Sequence, residues 1–129
     1  MAMPIRIQRK RTKDFRLPPN TVCVDRTSRY GNPWRIGSLL GAVPAVLVSR
    51  AGLSHLPLKT ELTAQMAVDI YRAYMVKMMA ELDGFRAHPK YLKGKNVACF
   101  CPLFDEEGNP VPCHGDVLLE LANGLLPAA

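Results

Sequence analysis

Asn96-Val97-Ala98-Cys99-Phe100-Cys101 is the stretch on which the fold turns. It is a short apolar run that stops at Pro102, a residue unable to donate to a ladder, and it reads as a short central strand. Lys90-Tyr91-Leu92-Lys93-Gly94 before it has the look of a helical turn closed by glycine. After it, residues 103 to 112 hold Asp105, Glu106, Glu107, Gly108, Asn109 and two prolines, the composition of an exposed loop. A helix is then expected from about Cys113 to Asn123, with Val117, Leu118, Leu121 and Ala122 as its apolar stripe and Gly124 beyond its end.

Further upstream, Thr60 can cap a long helix ended by Gly84. Leu62, Met66, Ile70, Tyr74, Met78 and Leu82 recur every four residues along it, and at that spacing the methionines and tyrosines are core. Residues 36 to 59 are broken by Gly37, Gly41, Pro44, Gly52 and Pro57 and admit one short element near Val43 to Val48. Thr21 to about residue 25 forms a strand after the breakers Leu17 to Asn20, and residues 5 to 8 alternate weakly. Strand, helix, strand, helix indicates an α/β protein, a compact Rossmann-like sheet flanked by helices. With 129 residues it is expected to be one domain, a basic segment at 1–16 followed by a core at 20–124.

The net charge is +6, but Arg6, Arg9, Lys10, Arg11, Lys13 and Arg16 face only Asp14 within the first 16 residues. The remaining body carries 11 basic and 10 acidic side chains. Any general contact with nucleic acid therefore belongs to residues 5 to 16. No apolar run reaches the roughly 20 residues of a membrane helix, and the N-terminus lacks the apolar region of a secretory signal, so a cytoplasmic protein with no membrane partner is expected. In that compartment four cysteines are thiols or metal ligands rather than a disulfide frame.

Two clusters can carry chemistry. Cys99 and Cys101 sit at the C-terminal end of the expected strand, and Cys113 and His114 open the last helix. That edge of an α/β sheet is where strand ends and helix N-termini converge on ligands. A helix N-terminus favours a thiolate, so Cys113 is a candidate nucleophile, with His114 or Asp116 handling protons. The same Cys99, Cys101, Cys113 and His114 also form a donor set for Zn²⁺, although the adjacent Cys113 and His114 would have to turn to one ion. Reduced buried thiols are the third reading, and Cys23 alone in its strand reads as a small hydrophobe. The other cluster is Asp25-Arg26-Thr27-Ser28-Arg29-Tyr30-Gly31-Asn32-Pro33-Trp34. In it Arg26, Ser28, Arg29, Gly31 and Asn32 can receive a phosphate or carboxylate, or else form a turn with Trp34 anchoring the core. Neither standard phosphate-loop pattern occurs.

Together these segments resemble a family of small phage and bacterial proteins, domain of unknown function 4326. The resemblance rests on Arg26-Thr27-Ser28-Arg29-Tyr30-Gly31-Asn32-Pro33-Trp34, on Leu92-Lys93-Gly94-Lys95-Asn96-Val97-Ala98-Cys99-Phe100-Cys101, and on Cys113-His114-Gly115-Asp116-Val117-Leu118. It covers about residues 20 to 124. Tyr30 stands where tryptophan is usual, and the loop between Cys101 and Cys113 is longer. The resemblance implies where the site lies and no particular reaction, while a phage-type setting brings nucleotides, nucleosides or a host defence signal into consideration as ligands. The leading expectation is a protein that binds a phosphate-bearing, nucleotide-like ligand through Arg26, Ser28, Arg29 and Asn32, with Cys113, His114 and Asp116 at the recognition end or, in an enzyme, performing group transfer or hydrolysis. The competing expectation is a nucleic-acid-binding or regulatory protein with a structural Cys/His zinc site.

Overall fold

Three short strands, β1 (Arg6–Gln8), β2 (Thr21–Cys23) and β3 (Asn96–Cys99), form a parallel sheet in the order β1-β3-β2. This computed structural model describes residues 4–124. The expected strand at 96–101 is therefore central, as its apolar composition requires, with Val97, Ala98 and Cys99 fully buried. It is two residues shorter than expected. Arg6 pairs with Val97 and Gln8 with Cys99 on one side, Thr21 with Asn96 and Cys23 with Ala98 on the other. The ladder continues past each outer strand: Arg9 N donates to Cys99 O at 2.6 Å, and Val24 N donates to Ala98 O at 2.8 Å. All three strands thus deliver their following residues, Arg9, Val24 to Arg26, and Phe100, to the same edge. Helix and strand are mixed as expected, with α1 (Ala45–Arg50), α2 (Ala64–Glu81) and α3 (His114–Asn123) as the α-helices among the described residues.

Internal contacts group the chain into two compact units. Among the described residues, one is built from 4–31 and 86–124, and holds the sheet and α3. Within it α3 packs on β3, β1 and the 3-10 turn Pro89–Leu92, burying Val117, Leu118 and Ala122. Cys113 is its N-cap rather than its first helical residue, and Gly124 closes it in the left-handed region with φ 70°. The segment read as a loop at 103 to 112 is a small closed hairpin. Phe104 bridges Pro110, Val111 N donates to Leu103 O, and Asp105 Oδ1 accepts from the amides of Glu107 and Asn109. Because the hairpin closes on itself, its length does not separate Cys101 from Cys113.

The other unit, Asn32–Phe85, packs α1 against α2 around Leu40, Val43, Leu47, Val48, Leu53, Leu62 and Ile70, with Trp34 and Tyr74 against that core. Helix α2 starts at Ala64, later than Thr60 as expected, because the backbone of residues 60 to 62 is already engaged. Thr60 O accepts from Leu40 N, and Leu62 exchanges both its backbone hydrogen bonds with Gly37 and Ser38. Thr63 caps instead, its Oγ1 accepting from Met66 N at 3.2 Å. The four-residue stripe also drifts, since each step of four turns a helix about 40° past a full rotation. Ile70 is core, but Leu82 at the end of that row is exposed, and the buried set is Ala67, Val68, Ile70, Tyr71, Ala73 and Met75.

Candidate ligand and thiol site

At the C-terminal edge of the sheet lies a cavity of about 440 Å³ lined by Arg9, Arg11, Asp25, Arg26, Thr27, Cys99, Phe100, Cys101 and His114. The first unit supplies all of these residues. The strand ends supply them in register: Arg9 and Arg11 follow β1, Asp25 to Thr27 follow β2, and Cys99 ends β3 with Phe100 and Cys101 directly after it. This is the edge where parallel sheets generally bind ligands.

Three guanidinium groups set the cavity's charge. Arg9 pairs with Asp25 at 2.5 Å. The Asp25 carboxyl is held below its usual range first by the Thr27 hydroxyl, at 2.6 Å, and then by the Thr27 amide and Arg9, against the opposing effect of burial. Arg9 and Arg11 lie over the Phe100 ring, 4.7 and 4.3 Å from its centroid, which fixes both cations at the cavity wall. Three guanidiniums outnumber the Asp25 carboxylate and the Cys99 sulfur among the lining groups, so the wall is cationic on balance.

The thiols converge beside this wall. The sulfurs of Cys99, Cys101 and Cys113 lie within 4.8 Å of one another, with Cys99 Sγ and Cys113 Sγ 3.3 Å apart. Cys99 is favoured as the thiolate because the thiols of Cys101 and Cys113 hydrogen-bond to it, which outweighs burial. Cys113 is pushed up by the same bonds from the other side, to Cys101 and Cys99, and by burial. Cys101 is also raised: its bond with Cys113 favours its thiolate, but its bond with Cys99 and its burial prevail. The cluster thus concentrates its negative charge on the strand cysteine rather than on Cys113 at the helix start. His114 donates from Nε2 to Val24 O, 2.5 Å away, because a carbonyl can only accept. That bond turns the lone pair of Nδ1 toward Cys113 Sγ, at 3.5 Å, and burial lowers the pKa of the ring against the pull of the Val24 carbonyl.

Arg6 ties the cluster to the rest of the unit. Its guanidinium donates to Asp116 Oδ1 at 3.1 Å and to the carbonyls of Pro102 and Val111, with only 7% of the side chain exposed. Burial works against its charge, but Asp116 and the thiols of Cys113 and Cys99 more than compensate, raising its pKa. The other oxygen of Asp116 accepts from Cys113 N at 3.1 Å and completes a capping box. Asp116, expected to move protons, therefore has both oxygens engaged in the cap and the ion pair. Gly115 leaves room for the Arg6 stem, since a Cβ there would stand 3.0 Å from Arg6 Cδ.

The Arg/Gly/Asn loop divides. Arg26 reaches the cavity with Cys99, Cys101 and His114, whereas Ser28 and Arg29 line a separate hollow with Cys23, Tyr30, Tyr91 and Lys95. Ser28 Oγ accepts from Tyr30 N and donates to Asp25 O, forming the turn. Gly31 is required by a close approach within the chain, its absent Cβ lying 2.6 Å from Arg26 Cα. Asn32 belongs to the other unit, donating to Ala67 O and accepting from Trp34 N. Arg9, Arg11 and Phe100 escaped the sequence reading. The available signal was the weak alternation at 5 to 8: a strand there puts the basic residues that follow it at the sheet edge where the cavity lies.

No curated protein and no solved structure matches the chain. Residues 7–124 match the model of the family described as Domain of unknown function (DUF4326), an extent that starts inside β1, one residue after Arg6, and takes in the capping box of α3. The chain belongs to that family.

Proposed function

We propose that this protein binds a small phosphate-bearing, nucleotide-like ligand at the C-terminal edge of its parallel sheet. The observation that carries this reading is the 440 Å³ cavity whose wall brings Arg9, Arg11 and Arg26 together against the single carboxylate of Asp25. Guanidiniums are suited to phosphate because they present paired donors in one plane, and two of these are already held over Phe100, which lowers the entropy lost on binding. The phosphate contacts are thus Arg9, Arg11 and Arg26, in place of the Arg26, Ser28, Arg29 and Asn32 expected from sequence. The Rossmann-like reading of the sheet and a cytoplasmic setting, in which the four free thiols stay reduced, accord with such a ligand. Whether as binder or as enzyme, the thiol and imidazole end, Cys99, Cys101 and His114, faces the non-phosphate part of the ligand.

Isothermal titration with a panel of nucleotides and nucleosides tests the reading. Wild type binds at least one phosphorylated member, and Arg11→Ala and Arg26→Ala each weaken it by about tenfold or more, the scale of one charge-assisted contact. Arg29→Ala, in the separate hollow, binds as wild type does. Absence of heat from every ligand, or equal loss in all three variants, overturns it.

A further inference from the structure

Three sulfurs, from the last residue of β3, the segment just after it and the N-cap of α3, meet at one point and call for an explanation that a single reactive thiol does not supply. A disulfide between Cys99 and Cys113 would use two of them and leave Cys101 idle beside it. A metal ion uses all three. Around a tetrahedral Zn²⁺ with Zn–S bonds of about 2.3 Å, ligand sulfurs stand about 3.8 Å apart. The observed group, with one edge at 3.3 Å and every edge within 4.8 Å, brackets that spacing. The chain provides for the position independently of the sulfurs. The closed hairpin within residues 103 to 112 returns Cys113 to Cys101, and the capping box fixes the Cys113 backbone. Gly115 N donates to Cys113 Sγ at 3.4 Å, and the buried Arg6 guanidinium lies alongside. Three thiolates and one divalent cation carry a net charge of minus one, and the Arg6 guanidinium, paired with Asp116 but also close to Cys99 and Cys113, offsets part of it. Such outer partners are what orient ligands and tune a bound metal.

We propose that Cys99, Cys101 and Cys113 bind one thiophilic divalent cation of the Zn²⁺ class, with its fourth coordination position turned toward the arginine-lined cavity. Cys113 is held on the protein side by α3, whereas Cys99 and Cys101 line the cavity, so the direction left over by three protein ligands is the cavity side. Three protein ligands with one exchangeable position is the pattern of catalytic rather than structural zinc. Binding displaces the remaining thiol protons to solvent. The metal site stands without the nucleotide reading; only the identity of the group that fills the fourth position rests on it.

The test is cobalt substitution of the full chain, stripped with a chelator and kept in a thiol-free reductant. One equivalent of Co²⁺ is expected to give thiolate-to-cobalt charge-transfer absorption and tetrahedral visible bands. Cys99→Ser, Cys101→Ser and Cys113→Ser each weaken Co²⁺ binding by more than about tenfold, the lower end of what losing even an outer partner costs. Cys23→Ser, outside the group, leaves the spectrum intact. Imidazole, a one-point probe, shifts the visible bands in wild type. Absence of a charge-transfer band in wild type overturns the site, and it does so without reference to any variant's folding. Bands that imidazole moves only in His114→Ala overturn the open position, because His114 then occupies it. Bands that move with imidazole but not with AMP, in a protein that gives no heat with nucleotides, uphold the metal site and overturn the nucleotide reading alone.

Discussion

Cys113-His114-Gly115-Asp116 shows how residues of one motif divide between chemistry and support. Cys113 brings its sulfur to the thiol group, His114 points Nε2 at Val24, Gly115 makes room for Arg6, and Asp116 caps and pairs. The sequence displays the thiol, imidazole and carboxylate side by side and invites a proton-handling role for Asp116. What redirects that carboxylate is Arg6, 110 positions away, which no local pattern announces. Gly115→Ala is therefore expected to be destabilising by roughly 1–3 kcal/mol, as overpacking against the Arg6 stem and Val97 would be, measured as a fall in the urea midpoint at unchanged slope. Asp25 supplies a pH prediction. Its folded pKa is lowered, so its contribution to stability is fully present above the unfolded value of about 3.9 and is lost as pH falls from there through the folded value. Thr27→Val removes the hydroxyl that does most to lower it. Urea unfolding should then show lower stability at pH 7 and a smaller loss between pH 5 and pH 3, on the order of 1 kcal/mol or less for the difference. An unchanged acid limb in the variant would assign the shift to Arg9 instead.

The elements themselves were largely legible: the strand before Pro102, the last helix, its closing Gly124 and a long helix near residues 60 to 84 all appear. Their boundaries were less so, and α2 shows why. Thr60 and Thr63 are equally good caps by residue type, and the choice falls to Thr63 because Thr60 and Leu62 are already hydrogen-bonded to Leu40, Gly37 and Ser38. Partners twenty or more positions away decide where the helix begins. The consequence is a contrast: Thr63→Ala is expected to cost about 1 kcal/mol, the loss of a cap, while Thr60→Ala stays within about 0.5 kcal/mol. Thermal unfolding of both variants beside wild type reads it, and the reverse order would mean that the helix starts earlier. The hairpin at 103 to 112 likewise follows from composition only as a loop. Its closure, which returns Cys113 to Cys101, depends on the backbone hydrogen bonds Asp105 collects, together with Gly108 at φ 83°.

At the scale of the whole molecule, the excess positive charge of the first 16 residues was plain, but its meaning was not, because formal charge does not say which cations are occupied. Arg6 is buried against Asp116, and Arg9 is paired with Asp25 at the cavity wall, so two of the six do not serve a general polyanion surface. Lys10, Lys13 and Arg16 are exposed between β1 and β2, and Arg11 is shared with the cavity. A single-stranded nucleic acid lying on this segment could meet about four cations, and four neutralised phosphates give a slope of log affinity against log salt of about −3. A nucleotide held in the cavity meets Arg9, Arg11 and Arg26 instead, so removing Lys10, Lys13 and Arg16 should leave it untouched. The triple variant K10A/K13A/R16A is accordingly expected to keep wild-type nucleotide affinity while losing most of any oligonucleotide binding. Fluorescence anisotropy of a labelled oligonucleotide across a salt series, paired with nucleotide titration, separates the two surfaces. An oligonucleotide slope much steeper than −3, or loss of nucleotide binding in the triple variant, would count for the basic segment and against the proposed cavity site.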